Sequence, residues 1–215
     1  MYIVLIHGQG RSPLSMTLLG WRLSRAGHDI HYFGYTPILQ SFESITARFI
    51  QTIRDEIGNR PYAIVSHSLG GIITRASLPY LTDNLPKHLV MLAPPNQPAR
   101  IAKKMRDNPL YEWFTGDCGR KLGDDSFYET LPYPTVPTTI IAGTRGFRGK
   151  LSPFGREVND TVLSVEETEL GEGYEVILVP ATHTFIMNSK QVAEIVSDVI
   201  KKEGSLGTGS SYHKT

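Results

Sequence analysis

A chain of 215 residues with 22 basic and 21 acidic side chains, formal charge +1, suits one domain and offers no global field to draw it to nucleic acid or an anionic membrane surface. Its one cysteine, Cys118, excludes an internal disulfide and a cysteine-based zinc site, and fits a reducing compartment such as the cytoplasm. No stretch approaches the roughly 20 apolar residues of a membrane-spanning helix, and the opening Met1-Tyr2-Ile3-Val4-Leu5-Ile6-His7-Gly8 reads as a strand rather than a signal peptide.

Short β-rich runs alternate with segments of helical period, the pattern of a parallel sheet covered on both faces. The predicted strands are Tyr2 to Ile6, Asp29 to Phe33, Tyr62 to Ser66, Leu89 to Leu92, Thr138 to Ala142 and Glu175 to Val179. Most are continuous apolar runs, as strands buried on both faces should be. A helix is expected from about Leu14 to Ala26, closed by Gly27. Ser41 opens the next, with Phe42, Ile45, Phe49, Ile50, Ile53 and Ile57 as its apolar stripe and Gly58 as its end. Another starts after Ser68, and the last runs from about Ser189 to Lys202. The stretch Pro94 to Pro137 breaks the rhythm and is expected to be an insertion with short helices around Ala99 to Arg106 and Asn108 to Phe114. One domain over residues 1–203 results, followed by a Gly/Ser tail over 204–215 with no apolar payload, expected to be disordered.

The most informative segment is Ile64-Val65-Ser66-His67-Ser68-Leu69-Gly70-Gly71. A buried strand runs into a serine between small residues and a helix begins at once, which is how a serine is held out of a sheet for nucleophilic attack. The pattern is G-x-S-x-G with Ser66 in place of the first glycine. Ser68 alone also suits a helix N-cap, and His183 alone suits a structural loop histidine.

With this strand-turn-helix in place, the chain resembles the α/β-hydrolase superfamily, most closely its compact lipase- and esterase-like members. The small lipases and PGAP1-like hydrolases share an opening like Val4-Leu5-Ile6-His7-Gly8-Gln9-Gly10, the Ser66-His67-Ser68-Leu69-Gly70-Gly71 turn, and a stretch like Leu92-Ala93-Pro94-Pro95-Asn96. They also share an acid in a setting like Asn159-Asp160-Thr161-Val162 and a histidine like that in Thr182-His183-Thr184. The resemblance implies a three-layer α/β fold with a reduced, mostly parallel sheet of six strands. It implies a triad of Ser68, Asp160 and His183, each just past the C-terminal end of a strand, where open α/β sheets place their sites. It further implies oxyanion donors in the backbone N–H groups of Gln9 and Leu69.

Gly8, Gly10 and Gly70 then serve the turns, His7 braces the first loop, and His67 packs beside the nucleophile. Asn159-Asp160 also reads as a turn pair, so Asp124, Asp125 and Glu157 stay open as the carboxylate, and His7 as a rival base. The implied activity is hydrolysis of carboxylic esters through an acyl-serine, on a small-molecule or lipid acyl ester. Thioesterase, amidase or acyltransferase chemistry uses the same machinery, and a hydrolase-fold binding module is the non-enzymatic alternative. No sequence signal calls for a metal or cofactor. Met105, Leu110, Tyr111, Trp113, Phe114, Phe127 and Tyr128 offer either an apolar wall for an acyl chain or glue for the insertion.

Overall fold

The computed structural model describes residues 1–105 and 107–206, excepting the side chains of Pro109, Glu112, Phe114 and residues 203–206. Its sheet has six strands: β1 (Tyr2–Ile6), β2 (Asp29–Phe33), β3 (Tyr62–His67), β4 (His88–Leu92), β5 (Thr138–Gly143) and β6 (Val176–Val179). The order is β2-β1-β3-β4-β5-β6 and every pairing is parallel. Each strand lies within a residue of its predicted bounds. From β1 the chain crosses to β2 on one side and later returns to β3 on the other. The reversal opens a crevice beyond the C-terminal ends of β1 and β3, the place where such sheets bind ligands.

Alternation along the strands builds two cores. Val4 and Ile6 of β1, with Ile64 of β3 and Met91 of β4, face α2 (Phe42–Thr52) and α3 (Leu69–Ser77). Ile3 and Leu5, with Val65 and Leu92, face α1 (Thr17–Arg25) and α8 (Lys190–Leu206), which contribute Leu19, Leu23, Val192, Val196 and Ile200. The three layers follow from this split. Among the described residues no helix is long and apolar enough to cross a membrane.

Departures from the sequence reading have local causes. The first helix begins as a 3₁₀ turn at Pro13–Met16, where proline supplies the starting dihedral, and becomes α-helical only at Thr17. After α2 the chain widens into one π-helical turn, Ile53–Ile57, which Gly58 ends. In the insertion, α4 (Arg100–Met105) lies near its predicted place. The second helix does not stop at Phe114: α5 (Pro109–Lys121) continues across a kink at Gly116, whose φ of 62° and ψ of −159° are not helical. A third, α6 (Asp125–Thr130), was not expected; it is opened by Asp124, whose carboxylate caps the Ser126 N–H. A short α7 (Val165–Thr168) follows the expected acid loop. Helix α8 runs past the predicted start of the tail at residue 204 to Leu206, and residues 207–215 of that tail, like Arg106, lie outside the described residues.

Candidate active site

Strand β3 delivers Ser68 at φ 51° and ψ −120°, a region that L residues rarely occupy, and α3 begins at the next residue. The Ser68 N–H is tied to the Leu92 carbonyl at 2.9 Å and the Gly71 N–H donates to the Ser68 carbonyl at 2.8 Å, which holds the strained turn. Gly70 is where α3 crosses β1: a Cβ there would sit 2.8 Å from the His7 carbonyl oxygen and 2.9 Å from that of Ile6. Ser66, in the place of the usual glycine, is absorbed: its side chain is buried and its hydroxyl donates to the Val90 carbonyl at 3.3 Å.

Three expected side chains meet. His183 Nε2 lies 3.0 Å from Ser68 Oγ, and His183 Nδ1 lies 2.7 Å from Asp160 Oδ2. His183 sits in a 3₁₀ turn, His183–Asn188, after β6, and its N–H donates to the Asp160 carbonyl at 2.8 Å. Asp160 is only 1% exposed. Its other oxygen, Oδ1, accepts from the Val162 N–H at 2.9 Å and the Leu163 N–H at 2.8 Å, a turn that Thr161 makes at a φ of 94°. The carboxylate is thereby fixed with one oxygen left for the imidazole. The rival acids are engaged elsewhere: Asp124 caps α6, Asp125 pairs with Lys103 at 2.6 Å, and Glu157 pairs with Arg100.

The loop after β1 carries the other expected groups. His7 stacks on Tyr35 with ring centroids 4.1 Å apart, and its Nδ1 bonds the Gly8 carbonyl at 2.9 Å. His7 Nε2 accepts from the Tyr35 N–H at 3.4 Å, while the Tyr35 hydroxyl donates to the His7 carbonyl at 2.6 Å. Both ring nitrogens are thus occupied in bracing, and burial lowers the His7 pKa from its usual value. Gly8 lets the loop approach the nucleophile, since a Cβ there would lie 2.9 Å from Ser68 Cβ. Gly10 turns the loop away at a φ of 63°. Gln9 Nε2 donates to the Thr115 carbonyl at 2.8 Å, beside the α5 kink, so the insertion grips this loop.

His67 is buried, and its Nε2 donates to the His183 carbonyl at 3.0 Å. Burial, helped by the neighbouring His183 and Arg11, holds its imidazole well below the ordinary histidine range. The Leu69 N–H opens α3, where the first backbone donors have no helical partners and the helix end is positive.

A cavity of about 280 Å³ opens on Ser68 and His183. Pro95, Ala99, Ile101, Ala102, Tyr111 and Leu122 from the insertion form its apolar side, joined by Val162 and Leu163. Of the described apolar side chains expected to wall it, only Tyr111 does so. Leu110 and Trp113 are exposed, Phe127 packs on Phe42 over another groove, and the Tyr128 hydroxyl donates to the Pro95 carbonyl at 2.8 Å. Met105 is half-buried and off the cavity, and the Phe114 side chain lies outside the described residues. Arg11 and Thr184, at the polar end, and Thr115, under Gln9, carried no sequence signal.

No curated protein sequence matches the chain. Among solved structures it is similar to the mature lipase BlEst2 of Bacillus licheniformis, with a TM-score of 0.74 and 16% identity over 92% of this chain and 91% of that one. It is also similar to the metagenome-derived lipolytic enzymes LipS and LipT, with a TM-score of 0.68 and 16% identity over 94% and 93% of the two chains. The RedJ thioesterase of the Streptomyces coelicolor prodiginine pathway aligns with a TM-score of 0.59 and 12% identity over 94% and 85%. At such identities the likeness bears on the fold alone. The sequence model described as the alpha/beta hydrolase family matches residues 3–195, and the chain belongs to that family.

Proposed function

We propose that the chain is a serine hydrolase of carboxylic esters, esterase- or lipase-like, working through an acyl-serine. The observation that carries this reading is the unbroken hydrogen-bonded run Ser68–His183–Asp160 opening on a largely apolar cavity. His183 Nε2 takes the Ser68 proton as Oγ attacks the ester carbonyl. Asp160 keeps the remaining proton on Nδ1 and offsets the imidazolium charge. The Gln9 and Leu69 N–H groups stabilise the oxyanion, each worth on the order of a hundred- to a thousandfold in rate. The imidazolium returns its proton to the departing alkoxide, and a water activated by the same nitrogen then frees the acid and regenerates Ser68.

The cavity lies at the small end of ligand pockets, which run to roughly 300–1,000 Å³, so a short acyl chain fits whole and a longer one must project. A thioester would follow the same steps, a reading that the thioesterase among the structural neighbours favours. Two assays test the proposal: labelling by a fluorophosphonate, and turnover of p-nitrophenyl esters and matched thioesters of increasing length. Ser68→Ala should lose both labelling and turnover while keeping its fold. Wild-type protein that neither labels nor turns over any ester would overturn the hydrolase reading in favour of a binding module.

A further inference from the structure

The cavity at Ser68 is chemically lopsided. Its lining is largely apolar, but it also includes Gln9 and the contacting pair Arg11 and Thr184. Arg11 is the single Lys or Arg in this wall, and no Asp or Glu lines it among the described residues. Nor does Arg11 form an ion pair among the described residues, where its side chain makes a long hydrogen bond of 3.4 Å from Nη2 to the Thr184 carbonyl. A guanidinium has five N–H donors in a rigid fork suited to carboxylate or phosphate oxygens, and among the described residues most of them are unspent. Beside it Gln9 Oε1 is buried without a hydrogen-bond partner among the described residues, an acceptor for a substrate donor. A partly buried cation that lines the cavity at Ser68 and has no ion-pair partner among the described residues has the chemistry of an anion receptor.

The position also decides which end of the substrate bears the charge. His183 hands the proton to the leaving oxygen, so the leaving group lies on the histidine side and the acyl chain against the apolar wall. Arg11 reaches Thr184, the residue after His183. We infer that Arg11 selects esters whose leaving group carries an anionic oxygen cluster, a phosphate or a carboxylate, close to the scissile bond. This rests on the hydrolase reading above and names its substrate class.

The test compares butanoyl esters on one skeleton: monobutanoylglycerol (neutral), butanoylglycerate (carboxylate) and butanoylglycerol phosphate, followed by butyrate release. Wild-type protein should prefer at least one anionic ester, and the identity of that ester separates phosphate from carboxylate. Arg11→Gln should cut the anionic-to-neutral ratio of kcat/KM by about tenfold or more, the worth of a charge-assisted hydrogen bond or two. Arg11→Lys should restore part of the phosphate preference and less of the carboxylate one, since a point charge lacks the fork. The preference should shrink with ionic strength. Equal use of all the esters by wild type, or a ratio unchanged by Arg11→Gln, overturns the inference. If none is cleaved, the hydrolase reading fails separately. Calorimetric binding of butanoylglycerol phosphate to Ser68→Ala protein then still decides: binding that Arg11→Gln leaves unchanged, or no binding at all, overturns Arg11 as a receptor.

Discussion

Replacing Asp160 with asparagine changes one atom and should stop turnover, for a reason that the turn geometry supplies. Oδ1 accepts the N–H groups of Val162 at 2.9 Å and Leu163 at 2.8 Å, and an amide nitrogen cannot accept in that position. The asparagine oxygen must therefore take the Oδ1 place, which leaves its NH₂ where Oδ2 now lies, 2.7 Å from His183 Nδ1. That NH₂ donates, so Nδ1 must present a lone pair and the ring proton moves to Nε2, pointing at Ser68 Oγ 3.0 Å away. The base then has no site for the serine proton. A loss of roughly 10⁴ in kcat is expected, about 5 kcal/mol of transition-state stabilisation. Both backbone hydrogen bonds survive, so the thermal midpoint should move little. Turnover of p-nitrophenyl butyrate beside a melting curve makes the measurement. A fall of less than tenfold in kcat, or an equal loss in Asp124→Asn, would refute the reasoning.

Gly70→Ala drives a methyl into the carbonyls of Ile6 and His7 and pushes α3 off β1, which should cost about 1–3 kcal/mol and lower kcat; urea unfolding and ester turnover measure both. Arg75 is buried, with its guanidinium donating to the Pro132 carbonyl at 3.1 Å and to Asn96 Oδ1 at 3.2 Å, so Arg75→Leu strands these acceptors. A loss of about 3 kcal/mol in urea unfolding is expected, and none would contradict the account. Acid should destabilise the fold from near pH 6.5 downward, because burial lowers the pKa of both His67 and His7 and the unfolded chain takes up protons that the native state refuses. The sign follows: stability is full above pH 6.5 and falls below it, by up to about 1.4 kcal/mol per pH unit for each such histidine. In His67→Phe that slope, read from unfolding curves between pH 8 and 5, should become shallower.

On the proposed acyl-serine route, ester or thioester preference divides on leaving-group chemistry that the fold does not encode. It is therefore the chain-length and thioester series, rather than the shape of the fold, that assigns the substrate.

Strand placement was legible from the residues themselves: parallel strands such as β3 and β4 are buried throughout, so their apolar runs need no partner to be recognised. The turn at Ser68 was legible too, since a backbone at φ 51° followed by a helix crossing at Gly70 tolerates few residue types. Choice among carboxylates was legible only through the resemblance of the Asn159-Asp160-Thr161-Val162 setting, not from the residues themselves. Asp124, Asp125, Glu157 and Asp160 look alike along a chain, and only the folded loop shows which one meets His183 and which are spent on a cap or an ion pair. The insertion was the least legible part, because Gly116 interrupts the α5 pattern and its aromatic residues divide between cavity, groove and surface. Arg11 illustrates the same limit: a charge acquires meaning from what lies around it, and the lack of a carboxylate lining its cavity among the described residues is a property of packing in three dimensions, not of neighbours in sequence.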